Sequence, residues 1–376
     1  MATMRIDTVL IKVASRCNIN CSYCYVYNMG DDGWKQMPKA IAPDTIRALS
    51  IALATLSKDQ DSEFTTVLHG GEPLMLGARR LEHLLSSLRE NLSSEQKICM
   101  QTNGMLISDE ILRICDDFRT AISISLDGPK KTNDRFRIGH RGEGTFDKVI
   151  AGISKLRNHP SSDFLFSGLL TVVDPFSSPR EIYEFLKGLG APSLDFLYRD
   201  GNHTSYPFGK ATFESTEYGD WLCGLLDTYL ADPTPVRVRL LDDLLRLSLG
   251  GKGIKEGIGV TDFGIAIIDT DGSVSKNDTL KSTFNGADRF QEKWSIFSHR
   301  LFDIFNTEEF GEYHRLQRPS SSICKTCNEV AACGGGMPLH RWSNERRFDN
   351  PSVYCNDQKA ILKHVRMHLV REGLEA

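Results

Sequence analysis

Cys17-Asn18-Ile19-Asn20-Cys21-Ser22-Tyr23-Cys24 is the stretch on which the reading of this chain turns. Its cysteines are spaced C-x3-C-x2-C, with Tyr23 directly before the last. Three thiolates on one tight loop can hold three irons of a [4Fe–4S] cube and leave the fourth iron open to a small molecule. An electron-transfer ferredoxin ligates every iron with cysteine instead. A cube with an open corner is therefore a reactive site. The competing readings are unrelated thiols or zinc, but zinc sites more often pair cysteines as C-x2-C with a second, distant pair.

The run sits at the exit of a strand. Thr8–Val13 reads as a strand feeding the loop, and a β/α alternation follows. Asp44–Leu56 reads as a helix with Asp44 as N-cap, Glu63–His69 as the second strand and Arg79–Leu92 as its helix. Ile98–Thr102 and Ala121–Leu126 read as strands three and four, with helices from Ser108 and over Thr145–Asn158. Phe164–Val173 and Ser193–Leu197 complete the set, separated by a helix near Pro179–Leu189. This alternation predicts an α/β fold with a parallel sheet curled into a partial (β/α)6 barrel. Ligands of such sheets lie at the carboxyl ends of the strands, where the cysteine loop emerges. Residues 1–210 are assigned to the barrel, 211–256 to a helical connector and 257–376 to a C-terminal region. That region opens with a hairpin over Ile265–Leu280 turning at Asp271-Gly272. It closes on a helix whose Ile361, Val365 and Leu369 share one face.

Composition narrows the function classes. The chain has 376 residues and a formal net charge of −4, which gives no electrostatic case for nucleic acid or an anionic membrane. The opening residues lack the apolar core of a signal peptide, and no stretch approaches the roughly 20 apolar residues of a membrane span. A cytoplasmic location is expected, where thiols stay reduced. Ten cysteines there argue for metal rather than disulfides. Seven fall into two groups; Cys99, Cys115 and Cys223 stand apart and read as packing residues.

The other strand ends carry polar and glycine-rich exits. His69-Gly70-Gly71-Glu72-Pro73 closes strand two; its glycines let backbone approach a neighbour closely and its proline stiffens the exit. Gln101-Thr102-Asn103-Gly104 closes strand three. Ser125 ends strand four, and Arg137 follows twelve residues later. Arginine's planar fork matches a carboxylate, although a surface ion pair is the plainer reading. The second cysteine group is Cys324-x2-Cys327-x5-Cys333, joined by Cys355 after another 21 residues. Four-cysteine zinc is the alternative for that group taken alone.

With GGEP one βα unit after the cysteine run, the chain resembles the radical S-adenosylmethionine (SAM) enzymes, whose open iron chelates SAM. The resemblance implies reductive SAM cleavage to a 5′-deoxyadenosyl radical that abstracts hydrogen from a substrate. The cofactor carries that chemistry; the protein positions and shields it. By position, the resemblance assigns the SAM-binding side to Tyr23, Gly70, Gly71, Glu72, Pro73 and Asn103 with His69 beside them, and SAM contacts to Ser125 and Arg137. The cluster ligands would be Cys17, Cys21 and Cys24. The later cysteines resemble the SPASM extension, in which Cys324, Cys327, Cys333 and Cys355 would hold one auxiliary [4Fe–4S] cluster. A full SPASM domain holds two. Here Met337 and the hairpin around Asn277 supply no thiolates for another.

The segments CGGGMPLHRW, FDNPSVYC and IIDTDGSVSKNDTLK further resemble maturases that cross-link ribosomally made peptides, including the FxsB-like and cyclophane-forming enzymes. The expected activity is then abstraction of a side-chain hydrogen, at Cβ, and a new intrapeptide C–C bond to an aromatic residue. The expected partners are a ribosomally synthesised precursor peptide and a reductant such as flavodoxin or ferredoxin. A sulfatase-maturating enzyme, which forms formylglycine, is the enzyme alternative; a non-catalytic iron–sulfur or zinc peptide-binding protein is the alternative of another class. The catalytic base is unassigned among Asp262, His203, Asp195 and Glu256. Trp34, Tyr198, Tyr206 and Trp342 could line a peptide groove or simply pack.

Overall fold

The computed structural model describes residues 5–60, 62–260 and 264–374. Nine strands occur among them: β1 Thr8–Ala14, β2 Thr65–Gly70, β3 Ile98–Thr102, β4 Thr120–Ser125, β5 Phe166–Val172, β6 Ser193–Leu197, β7 Arg237–Val238, β8 Ile265–Ile268 and β9 Val274–Ser275. The chain forms two compact units. The first comprises the described residues of Met1–Leu126, Asn133–Gly168 and Phe263–Tyr313; the second, those of Asp127–Thr132, Leu169–Asp262 and His314–Ala376. Among the described residues, no helix is long and apolar enough to cross a membrane.

In the first unit β4, β3, β2, β1 and β8 lie side by side, all parallel, with β9 antiparallel beyond β8. The expected α/β fold with a parallel sheet is what forms. Alternation decides the two faces. Val9, Ile11, Leu68, Ile98, Met100, Ile122 and Ile124 are buried beneath helices. The opposite face carries half-exposed His69, Gln101, Ser123 and Ser125, and buried Lys12. Register aligns them: Lys12 lies opposite His69, and Gln101 opposite Ser123.

The helices follow their stop and start chemistry. The first runs Pro43–Asp59, with Pro43 in its opening turn and extended Ala42 as N-cap. Asp44 is therefore not the cap; it lies in the first turn, where its charge suits the positive end of the helix dipole. Ile46, Leu49, Leu53 and Leu56 form the buried face. Ser108 caps the helix Asp109–Asp117 by accepting from the Ile111 N–H at 3.3 Å.

The second unit holds β5, β6 and β7 as parallel neighbours, with β5 belonging to it from Leu169 onward. Two helices, Glu217–Ala231 and Cys355–Arg371, pack together in it. The Asp357 carboxylate accepts from the backbone N–H groups of Tyr218 and Gly219, both at 2.9 Å, and so satisfies donors that the first turn of a helix leaves open. The Lys210 ammonium, with its side chain fully buried, sits 2.7 Å from the other oxygen. Gly219 has to be glycine: a Cβ there would lie 2.7 Å from the Asp357 backbone.

Candidate metal centres

The cysteine loop is fastened on two sides within the first unit. On one side the β2 exit grips it. The Gly71 N–H donates to the Ala14 carbonyl at 2.8 Å and the Glu72 N–H to the Arg16 carbonyl at 2.9 Å. A Cβ on Gly70 would stand 2.1 Å from the Ala14 oxygen, and one on Gly71 2.3 Å from the Arg16 oxygen. The two glycines let the backbone that leads into Cys17 lie directly on strand two. On the other side, the N–H of Asn20 donates to Ile138 at 2.7 Å and that of Ser22 to Phe136 at 2.9 Å. His140 Nε2 lies 2.9 Å from the Cys17 carbonyl.

Glu72 also has a structural job. Its carboxylate is buried and accepts from Leu74 N–H at 3.0 Å, Thr102 Oγ1–H at 2.6 Å and Asn103 N–H at 2.8 Å. Burial pushes its pKa up despite those donors. Both oxygens are committed to tying the exits of β2 and β3 together. Asn103 then reaches the loop, donating from Nδ2 to Asn18 Oδ1 at 2.7 Å. Arg137 is buried and donates to the Tyr23 hydroxyl at 2.9 Å, and Gln101 Nε2 donates to Ser125 Oγ at 2.8 Å. The strand-end residues singled out from the sequence thus lie around the loop and the open face. His69 shares that face, opposite Lys12 and beside its charged cluster.

Burial, with Glu72 and the neighbouring thiols adding to it, raises Cys17 to about 12; burial and Cys21 raise Cys24 to about 11. Three adjacent, partly desolvated thiolates repel one another, so a positive centre must accompany their ionisation. That is the condition an iron–sulfur cluster meets.

The second group lies wholly within the second unit. Cys324, Cys327, Cys333 and Cys355 line one pocket. Cys324 lies in the short helix Ser322–Lys325, Cys333 ends the helix Val330–Cys333, and Cys355 opens the helix Cys355–Arg371. Gly334, Gly335 and Gly336 all have φ between +67° and +78°, a left-handed run that carries the chain sharply away from Cys333. Burial, compounded by the other three thiols, pushes Cys333 up to about 12. Among the described residues, neither cysteine group brings three Sγ atoms within 4.8 Å of one another. Thiolates on a single zinc are only about 3.8 Å apart, given Zn–S bonds near 2.3 Å. As placed, neither set is gathered around one zinc-sized centre.

Where further cluster thiolates would be needed, the structure places other chemistry. Asn277 caps a short 3-10 turn, accepting from Thr279 N–H at 3.0 Å. Met337 packs against Gly257, where a Cβ would meet it at 2.5 Å. The segment after Asn277 is held by charge. Lys12 Nζ lies 2.6 Å from Asp278 and 3.5 Å from Asp269, all three buried. Burial alone would lower the Lys12 pKa; the two carboxylates override it and hold it above the usual lysine range. Lys281 pairs with Asp288 in the same unit. His69 faces this cluster: burial lowers its pKa and keeps the ring neutral, and its Nδ1 makes no hydrogen bond among the described residues.

Lys12 and Asp278 did not figure among the residues singled out from the sequence. The signal was present, because a lysine inside the apolar strand TVLIKVA needs a buried partner. Of the four possible bases, Asp195 is paired with Lys255 at 2.5 Å, and His203 Nε2 is bonded to the Pro351 carbonyl at 2.8 Å. Glu256 is engaged with neighbours, and Asp262 lies outside the described residues. Of the four aromatics, Trp342 is buried, Tyr198 stacks on Tyr354 at 4.5 Å, Trp34 packs edge-on to Tyr27, and Tyr206 is exposed.

Residues 11–189 match the radical SAM superfamily. That match spans just under half of the chain. Beyond it, the chain is similar from end to end to the cysteine-type anaerobic sulfatase-maturating enzyme of Clostridium novyi, at 24% identity over 96% of this chain and 95% of that one. The serine-type enzyme of Bacteroides thetaiotaomicron is 26% identical over 96% and 90%. Among solved structures, native anSMEcpe with bound AdoMet superposes with a TM-score of 0.82 at 23% identity, over 97% of this chain and 98% of that one. Streptococcus suis SuiB bound to precursor peptide SuiA reaches a TM-score of 0.62 at 14% identity, over 90% and 72%.

These relatives overturn the expected cyclophane-forming, cross-linking activity: several that align over 96% of this chain are sulfatase-maturating enzymes. The physical reason lies in the segments that carried the expectation. The glycines of CGGGMPLHRW make a left-handed turn. His340, Arg341 and Trp342 are buried, with Arg341 donating to the Arg318 carbonyl at 3.1 Å. Those residues report architecture and carry no information about product.

Proposed function

We propose that this chain is a radical SAM maturase of the sulfatase-activating kind, oxidising a cysteine or serine side chain of a protein substrate to formylglycine. The reading is supported by one conjunction: a three-cysteine loop with an open corner and a closed four-cysteine set, in a chain that aligns along its length with sulfatase-maturating relatives. Cys17, Cys21 and Cys24 would hold the SAM-binding [4Fe–4S] cluster, and Cys324, Cys327, Cys333 and Cys355 one auxiliary [4Fe–4S] cluster. Bound there, SAM on its reduced cluster supplies a hydrogen-atom acceptor, and the auxiliary cluster a one-electron acceptor.

The protein's own residues supply the rest. Arg137 and Ser125 would orient the SAM carboxylate and ribose, and Gly70–Pro73 its amino group. The half-exposed face of β1–β4 would receive the substrate side chain. We assign proton acceptance to Asp278, which is buried, ion-paired with Lys12 at 2.6 Å, and otherwise without a hydrogen-bond donor among the described residues. The balance for serine is loss of two hydrogens from Cβ and oxygen. For cysteine, the same oxidation is followed by water replacing sulfur, which leaves as sulfide.

The test is an anaerobic assay with SAM, a strong reductant and two peptides of sulfatase-type sequence, one with cysteine and one with serine at the target. Mass spectrometry with hydrazide capture reads the carbonyl. An aldehyde on either peptide is the expected result. SAM cleavage with both peptides unchanged, or a two-hydrogen loss that hydrazide does not capture, overturns the reading.

A further inference from the structure

Away from both cysteine groups, the second unit carries a set of donors that neither the fold nor the proposed reaction uses. His364 and His368 are four residues apart on the helix Cys355–Arg371 and therefore share a face. Their ring centroids are 4.9 Å apart at 82°. Both aim Nε2 at a single atom, Oδ1 of Asp227 on the helix Glu217–Ala231, at 2.7 Å and 2.8 Å. Among the described residues this is the group of three such side chains whose ligand atoms all fall within 4.8 Å of one another.

We propose that Asp227, His364 and His368 form a binding site for a divalent transition metal of the zinc class. Two imidazole nitrogens and a carboxylate oxygen are a standard zinc donor set, and imidazole selects zinc, nickel or copper over magnesium and calcium. Tetrahedral zinc with bonds of about 2.0–2.1 Å spaces its donors by about 3.3 Å. The present spacing is about half an ångström tighter, a gap that side-chain torsions close. The site is open on one side, with Asp227 54% exposed and the histidines 23% and 22% exposed, so water can complete the coordination.

The site is separate from the auxiliary centre. At a rise of about 1.5 Å per residue, His364 lies about 14 Å along its helix from Cys355. Its position gives it a mechanical role. Asp357 ties the first turn of the helix Glu217–Ala231 to the start of the helix Cys355–Arg371. A metal on Asp227, His364 and His368 fastens the same two helices farther along, and so braces the helix that opens with Cys355.

The probe is zinc chloride added to the reconstituted holoenzyme, with iron and sulfide measured so that filled cysteine sites cannot take up zinc. After gel filtration, elemental analysis counts retained zinc, and thermal unfolding is followed with and without it. The expected result is one retained zinc per chain and a higher Tm in zinc. Asp227→Asn, His364→Gln and His368→Gln each lose the zinc and the Tm response at unchanged iron content. Asp227→Asn keeps an acceptor for the imidazoles, so it separates metal loss from misfolding. No retained zinc in the wild type, or equal zinc in wild type and all three variants, overturns the proposal.

Discussion

The two cysteine groups differ in how they are held, and that difference separates their tasks. The N-terminal three sit on a loop clamped by backbone hydrogen bonds and by two glycines that admit no side chain. Their partner shell is polar, with Asn103, Arg137 and Tyr23 close by. The C-terminal four enclose their own cavity, on short helices and a left-handed glycine turn. Three thiolates leave an iron for chemistry, whereas four close the shell and leave electron transfer or structural support.

That contrast can be broken most severely at the open site. Cys17→Ala, Cys21→Ala or Cys24→Ala is expected to abolish 5′-deoxyadenosine formation, read by chromatography of the reaction mixture. Gly71→Ala comes next. Its Cβ would collide with the Arg16 carbonyl and the Tyr27 hydroxyl, so the cysteine loop must shift; a large loss of cluster iron and of SAM cleavage is expected, while Gly77→Ala, which meets open space, costs only its backbone strain at φ +79°, about 1–3 kcal/mol of stability. At the closed site, Cys324→Ala or Cys355→Ala should leave SAM cleavage substantially intact and abolish aldehyde formation. Asp278→Asn should lower aldehyde yield by about 10²-fold, the scale of a lost general base, at unchanged SAM binding. The smallest effect is expected for Tyr23→Phe. It removes one hydrogen bond to Arg137, worth about 1.5–3 kcal/mol when charged, and should raise the KM for SAM with kcat little changed.

Much of this was legible before any coordinates. The βα alternation gives the parallel sheet, because a strand buried on one face and lined on the other writes its period into the sequence. The cysteine spacing gives the open loop, since local spacing and local geometry coincide there. What was hidden depends on contacts distant in sequence. Glu72 also ties two strand ends, which only the positions of Thr102 and Asn103 reveal. The Lys12–Asp278 pair spans most of the chain. The segments around Met337 and Trp342 looked diagnostic of a product, yet they are core and turn, shaped by the packing of the fold.

The division of labour between the two groups is tested most directly by quantifying 5′-deoxyadenosine and peptide aldehyde in the same anaerobic reaction for wild type, Cys17→Ala and Cys355→Ala. The account predicts both products from the wild type, neither from Cys17→Ala, and 5′-deoxyadenosine without aldehyde from Cys355→Ala. Aldehyde from Cys355→Ala at the wild-type ratio to 5′-deoxyadenosine, or continued SAM cleavage by Cys17→Ala, would contradict it.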